Sequence, residues 1–495
     1  MAIDRYKLEQ HPSRGYKNLR SILTSLSGRN GFLQLLGGSS IGRGINFGIN
    51  LLLSRVLGPS QLGLFTLILN ASQTFELLSR AGVDTGLNYA LTEQKGSDDL
   101  NKEKSLINTA LKIVRLTSCF LLALLLLWLG PGNGLLPIEL DNNRSLIIII
   151  TSLICVAESL SGLPWDILLI KGEVNIVRLR QGLFAPLKLL AALMGAWLGG
   201  VEESLTCYAA MAGIQAIWLD KRTKNICKIR TGSSGHWNEA KKLVGDGLGL
   251  YTNNVLSAMV FLPLLANIAN SSGLQSVGYL RAGQIVVQLF TLVPGALAPV
   301  LFIKYRTSET NEKKNIIAEQ SLLLIWCFGL ATLLGYILID KQLINFLFGS
   351  QYLYSLQPTR MLIYITILES IGQILHTSIL ANRQIRLFLY VQNIALALSA
   401  ILGWYFIPKI GLDGFILAKF VFAGVPTVTY LWKAWSNIEN RSIIWMLSVA
   451  GGAALPLCWI VSLPFSLELA LTSLMVILVV LAGISFKRSL VIHDL

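Results

Sequence analysis

Leu57-Gly58-Pro59-Ser60-Gln61-Leu62-Gly63-Leu64-Phe65 and Ser272-Gly273-Leu274-Gln275-Ser276-Val277-Gly278-Tyr279-Leu280 are the two short links that decide how this chain is organised. Each joins one long apolar segment to the next and sets two glycines five apart before the second segment. Laying Gly58 on Gly273 and Gly63 on Gly278 makes the seventh and eighth segments repeat the first and second. Six segments make one repeat. An even number leaves both copies in the same membrane orientation, related by an axis along the membrane normal.

Working outward from these links, about fourteen apolar segments can be marked, from 33–57 and 62–90 at the start to 443–461 and 467–486 at the end. Each is close to the ~20 residues a helix needs to cross the hydrocarbon core. The basic residues fall on alternate connections: 29 lysines and arginines on one side, against Arg144, Lys341 and Lys409 on the other. Cytoplasmic connections retain positive charge, so both termini are expected in the cytoplasm. The predicted fold class is an all-α integral membrane protein. Its divisions are a cytoplasmic tail at 1–30, a six-helix lobe at 31–219, an interlobe loop at 220–243, a second six-helix lobe at 244–435, an extra helix pair at 443–486 and a tail at 487–495.

Composition agrees. Hydrophobic residues make up 53% of the chain and charged residues 14%, with a mean hydropathy of +0.60. A net charge of +14 follows from topology and from attraction to anionic membrane lipids, and nucleic acid is not expected as a partner. The six cysteines and four histidines show no metal-ligand spacing, so neither a metal centre nor a cofactor is expected. No structural disulfide is expected either. The polar, basic stretch before Gly31 lacks an apolar core ahead of a cleavage site, so the first helix is read as uncleaved.

The chain resembles a known family. Residues 43–82, with Ser54-Arg55-Val56-Leu57-Gly58-Pro59 turning into Leu62-Gly63-Leu64-Phe65, look like the opening of Wzx-type polysaccharide flippases of the multidrug/oligosaccharidyl-lipid/polysaccharide (MOP) exporter superfamily. Val277-Gly278-Tyr279-Leu280-Arg281-Ala282, Pro294-Gly295-Ala296-Leu297-Ala298-Pro299, Phe348-Gly349-Ser350-Gln351-Tyr352 and Pro408-Lys409-Ile410-Gly411-Leu412-Asp413-Gly414 resemble later motifs in the same order. The resemblance implies two pseudo-symmetric lobes around a central cavity and alternating access. Its implied substrate is a polyprenyl-diphosphate-linked oligosaccharide, moved from the cytoplasmic to the outer leaflet of the bacterial inner membrane. In the related lipid II flippases an extra C-terminal helix pair borders a groove for the lipid tail, and 443–486 would take that place here.

A charge at mid-membrane costs at least ~2.5 to 3.5 kcal/mol on insertion scales, so retained charges face a cavity or a partner. Arg43, Arg80, Lys188, Arg281 and Lys419 are the candidate substrate-binding cations, because a diphosphate entering a low-dielectric cavity needs forked hydrogen bonds and a compensating field. The resemblance places Arg43 and Arg281 where related flippases carry cavity arginines. The other reading is that these cations pair with Glu76, Asp84, Glu158, Asp166 or Glu369 and fix helix packing. Glu76, Glu158 and Glu369 near their helix centres are candidates for ion coupling, with His376 on about the same face as Glu369. Arg55, Lys112, Arg115 and Arg360 lie close enough to helix ends to snorkel. Asn46, Asn50, Asn70, Asn88, Asn253, Asn254 and Asn267 suggest an amide-lined cavity. Gly42-Arg43-Gly44, Gly162-Leu163-Pro164, Pro263, Pro294-Gly295 and Pro426 are candidate bending points.

Three functions fit these residues to different degrees. A lipid-linked oligosaccharide flippase fits a basic cavity, working alone or in a complex with a polysaccharide polymerase or ligase. A cation-coupled drug or metabolite exporter of the same superfamily calls for a more acidic lining. A membrane polymerase or ligase calls for an acid-base pair in a large extracytoplasmic loop, and the chain offers only short ones. It has no nucleotide-binding P-loop. The prediction is therefore a transporter rather than an enzyme.

Overall fold

The computed structural model describes residues 29–93, 100–129, 144–171, 173, 179–227, 237–291, 311–381 and 385–435. The expected helix pair at 443–486, most of the N-terminal tail and the Pro294-Gly295 break lie outside them. The described residues form helices α1 (Arg29–Arg80), α2 (Val83–Glu93), α3 (Leu100–Leu129), α4 (Arg144–Ile170), α5 (Ala185–Gly199), α6 (Val201–Cys227), α7 (Trp237–Ser272), α8 (Leu274–Phe290), α9 (Asn311–Phe348), α10 (Leu356–Ala381), α11 (Ile385–Ile410) and α12 (Leu412–Trp435). A π-helical turn, Arg180–Phe184, leads into α5, and a 3-10 turn, Ser350–Ser355, leads into α10. There is no β-strand among the described residues.

Eight of these helices are long and apolar enough to cross a membrane, and α1 is one of them although it contains both of the first two segments. Helices α6, α8 and α10, read as spans from the sequence, are not among the eight. The described α8 has only 17 residues, and α6 and α10 carry Gln215, Glu369, Gln373 and His376. The molecule is apolar on its outer surface as well as in its core: Trp197, Leu198, Ile217, Phe346, Trp404 and Trp432 are all more than half exposed. Such an apolar belt belongs against acyl chains.

The repeat is visible in the backbone. Gly58 breaks α1 with φ 70° and ψ 174°, and Gly273 separates α7 from α8 with φ 82° and ψ 161°. Both angle pairs are open to glycine and strained for any other residue. In the register that lays Gly58 on Gly273, buried Phe75 corresponds to buried Phe290, and Gln73 corresponds to Gln288. From the fourth helix of each lobe the register shifts by four. Ile170 and Ala381 end α4 and α10, and Gly200 (φ 99°) and Gly411 (φ 57°) make the turns into α6 and α12. Each lobe is thus a copy of the other, the second being four residues shorter in its early connections.

The lobes make their broadest contact between α1 and α8. There, a Cβ added to Gly63 would overlap the carbonyl of Leu274, and a Cβ added to Gly278 would overlap the carbonyl of Pro59. The two contacts are the same contact seen from either lobe. Tyr352 reinforces this seam by donating its hydroxyl to the Ser54 carbonyl at 2.7 Å. Arg55 does so by donating to the Phe346 and Leu347 carbonyls at the end of α9. At the opposite end of the bundle a Cβ on Gly86 would overlap the Leu243 carbonyl, so α2 and the start of α7 also meet backbone to backbone. The main core cluster runs through both lobes, from Leu53, Leu62 and Phe65 to Trp326, Ile367 and Tyr430, with smaller clusters around Leu87 and Trp165.

Candidate functional site

A cavity of about 440 Å³ lies between the lobes, walled by α1 on one side and by α8 and α10 on the other. Arg43, Asn46 and Phe47 come from α1. Gln288 and Leu289 come from the end of α8, with Thr291 just beyond it, and Thr366, Glu369, Ser370 and Gln373 come from α10. The four-residue step from Thr366 to Ser370 and the matching step from Glu369 to Gln373 put four polar side chains on one face of α10. Arg43 has no carboxylate or hydrogen-bond partner among the described residues. Glu369 is likewise unpaired and exposes its carboxylate to the cavity. The Oδ1 of Asn46 is buried without a partner. An orphaned acceptor, an unpaired guanidinium, an unpaired carboxylate and two amides around one space make a lining for a polar, hydrogen-bonding guest.

Glu369 and Gln373 also line a second, smaller cavity of about 190 Å³ inside the second lobe, with His376, Gln392, Phe422 and Thr427. The Nε2 of His376 is buried without a partner, and its ring stacks on Phe388 at 4.2 Å. Lys419 lies over the ring of Phe261 at 5.0 Å and acts on Glu369 through space without forming an ion pair with it. Glu369 therefore stands between the two cavities.

Arg281 lies one turn beyond Gly278 on α8, behind the seam. It has no carboxylate partner among the described residues, and Tyr208 of α6 lies near it across the lobe boundary. Tyr208 donates to Glu158 at 2.9 Å, Lys188 donates to the same oxygen at 2.6 Å, and the Lys188 ammonium sits 5.4 Å from the Tyr208 ring. Lys188 is thus the cation on Glu158, and no ion pair joins Arg281 to that carboxylate.

The remaining predicted site residues form a separate cluster in the first lobe. Arg80 is paired with Glu76, with Asp166 at 3.1 Å and with Asp84 at 3.6 Å, while Arg180 approaches Glu76 at 3.7 Å. A Cβ on Gly162 would run into the Arg80 guanidinium, so the glycine of the Gly162-Leu163-Pro164 break makes room for this network. The hydroxyls of Ser79, Ser118 and Ser159 tie three helices together beside it. Helices α4, α7 and α12 continue through Pro164, Pro263 and Pro426. Arg115 and Arg360 each hold an aspartate at 2.6 Å, Asp220 and Asp340 respectively.

Of the asparagines read as cavity-lining, Asn46 alone lines the central cavity. Asn50 and Asn70 instead bond carbonyls one turn back on α1. Gln288 and Gln373 were missed. Gln288 is the repeat partner of Gln73, and extending the alignment of the two links further along the second segment would have found it; Gln373 falls one turn after Glu369.

No family model and no curated protein sequence matches this chain. Solved structures do. The lipid II flippase MurJ in an inward closed conformation aligns over 92% of this chain and 99% of its own, with a TM-score of 0.67 at 15% identity. A multidrug resistance MATE family transporter of the MOP superfamily, in its inward-facing conformation, covers 85% of this chain and 99% of its own, with a TM-score of 0.63 at 14% identity. An outward-facing conformation of a MATE family transporter gives 0.53 at 15% identity, with 84% and 97% covered. With two six-helix repeats, glycine turns at matching places and a cavity on the lobe boundary, the chain has the all-helical transporter fold shared by MurJ and the MATE transporters of the MOP superfamily.

Proposed function

We propose that this protein is a flippase that carries a polyprenyl-diphosphate-linked oligosaccharide from the cytoplasmic to the outer leaflet of a bacterial inner membrane by alternating access. The observation that carries this reading is a pair of unpartnered cations on the lobe boundary: Arg43 in the central cavity and Arg281 behind the seam. Cations left without carboxylates in a low-dielectric site are matched to a guest that brings its own negative charge. The diphosphate supplies that charge, and the amides and hydroxyls of Asn46, Gln288, Thr366, Ser370 and Gln373 suit the sugar.

With both termini in the cytoplasm, the Gly63–Gly278 seam faces outward. The cavity of about 440 Å³ has room for the head of such a substrate and not for the whole of it, so the lobes part to admit it. Arg43 takes up the diphosphate, and the seam then opens on the other face. The extra helix pair at 443–486 would guide the lipid tail. Glu369, shared by the two cavities and drawn on by Lys419, is the group whose protonation or cation binding couples an ion gradient to lobe movement; Glu76 and Glu158 are committed to ion pairs. Polymerase and ligase partners and a Wzx-type role in cell-surface polysaccharide synthesis follow from the same reading.

The test is a leaflet assay in proteoliposomes with a fluorescent polyprenyl-diphosphate oligosaccharide, with and without an ion gradient. Wild-type protein should speed its appearance in the opposite leaflet, and Arg43→Ala and Arg281→Ala should each slow it at least tenfold, about 1.4 kcal/mol of barrier. Equal rates in empty vesicles would overturn the reading. The exposed carboxylate of Glu369 favours a second one, a cation-coupled exporter, for which efflux of cationic dyes is the discriminating assay.

A further inference from the structure

The first lobe carries a second opening that has no part in the central cavity. A groove of about 410 Å³ lies among α3, α4 and α6, at the end of the bundle opposite the seam. Its walls are Leu111, Val114, Leu160, Leu163 and Ile217, and its rim is Arg115, Asp220, Lys221 and Lys224. Asp220 is held by Arg115 and by Lys224, each at 2.6 Å. One carboxylate against three cations leaves the rim with two positive charges over. The groove opens outward: Ile217 is 72% exposed, and Leu116 and Phe120 of the same α3 that supplies Leu111 and Val114 are exposed as well.

We propose that this groove is a binding site for an anionic phospholipid, separate from the transport pathway. The argument is complementarity on two sides. An apolar wall suits acyl chains, and a rim with two cations in excess suits the phosphate that heads them. Lys221 is free to donate to a phosphate oxygen, while Arg115 and Lys224 offer donors beyond those engaged by Asp220. A soluble phosphate would leave the apolar wall wet, and a zwitterionic lipid would bring a second cation to a rim already positive. The occupant that satisfies both halves is a lipid with a net negative headgroup, and bound there it would brace α3, α4 and α6 against one another.

The test uses the full chain in detergent with added phosphatidylglycerol or phosphatidylcholine, and native mass spectrometry to count retained lipid. Lys221→Gln with Lys224→Gln keeps the Arg115–Asp220 pair, so the fold is retained, and a thermal unfolding curve checks this. Retained phosphatidylglycerol should fall about tenfold, since each cation near a membrane surface adds to anionic-lipid affinity, while phosphatidylcholine retention stays unchanged. Arg222→Gln, one residue outside the groove on the same helix, should have little effect. The proposal is overturned if the double variant retains phosphatidylglycerol like wild type, if both lipids are lost equally, or if Arg222→Gln matches the double variant. The readout needs no transport substrate, so its outcome is independent of the proposed flippase activity.

Discussion

Glu158 and Glu369 occupy matching positions in the two lobes, on α4 and α10, and their surroundings are opposite. Glu158 accepts from Tyr208 and Lys188 and is closed off. At the matching positions the second lobe has Lys419, which holds no ion pair with its glutamate, and Ser399, whose hydroxyl bonds the Ala395 carbonyl. Glu369 is left facing two cavities. The same contrast recurs on the second helix of each lobe, where Glu76 pairs with Arg80 and its counterpart Thr291 lines the central cavity. One fold held two copies of each position; in the first lobe they became internal ion pairs, in the second they stayed open to a guest. The paired buried charges of the first lobe are therefore its scaffold, while the working surface is the face of the second lobe together with Arg43 and Asn46 of α1.

If the first lobe is the scaffold, its charges matter to folding. Arg80→Leu leaves Glu76, Asp84 and Asp166 in one partly buried site without their common partner, and should destabilise the protein by about 5 kcal/mol. A thermal-unfolding series in detergent, read by loss of the monodisperse peak, measures this; an unchanged midpoint would remove the scaffold assignment. Lys188→Met should cost about 3 kcal/mol by stranding Glu158, and Lys188→Met with Glu158→Gln should recover most of it. No recovery in the double variant would mean that Lys188 acts on something other than Glu158.

The second lobe should respond the other way. Glu369→Gln is expected to leave the unfolding midpoint within about 1 kcal/mol of wild type and to reduce gradient-driven transport at least tenfold, about 1.4 kcal/mol. Proteoliposome assays with and without the gradient separate a coupling role from substrate contact, because the uncoupled rate survives in the first case alone. The smallest effect belongs to the seam's rim. Arg55 is exposed and donates to two carbonyls, so Arg55→Ala should cost under about 1 kcal/mol and shift the balance of conformations rather than folding, a change that spin-label distances across α1 and α9 would detect.

The repeat and the helical class were legible because glycine turns and apolar segments are local signals: Gly58, Gly273, Gly349 and Gly411 all take the left-handed angles that their sequence context suggests. The charge pairs were legible only as a choice. A charge in a long apolar segment must find a partner or a cavity, but the sequence does not say which face of its helix it occupies. Apart from the resemblance that favoured Arg43, it and Lys188 are alike as charges within apolar segments, yet Lys188 found Glu158 on a neighbouring helix and Arg43 found no carboxylate among the described residues. The equivalence of Glu158 and Glu369 stayed hidden because the register of the repeat shifts by four between the second and fourth helices. Gln288 and Gln373 escaped because an amide in a membrane helix, although it demands hydrogen-bond partners, does not show from sequence which face of its helix it occupies.

The seam itself has a consequence for how quickly the lobes can part and rejoin. At Gly63 and Gly278 the meeting surfaces are main chain against main chain, with no side chain between them. Glycine has no rotamers to lose, so closing these two contacts freezes nothing that was free while they were open, and reclosure is spared the entropy that locking long side chains would require. Because the two contacts are mirror copies in one crossing, neither can be released while the other is kept. The molecule thus has a clasp that is all or none, quick to engage, and intolerant of even a methyl group on either half.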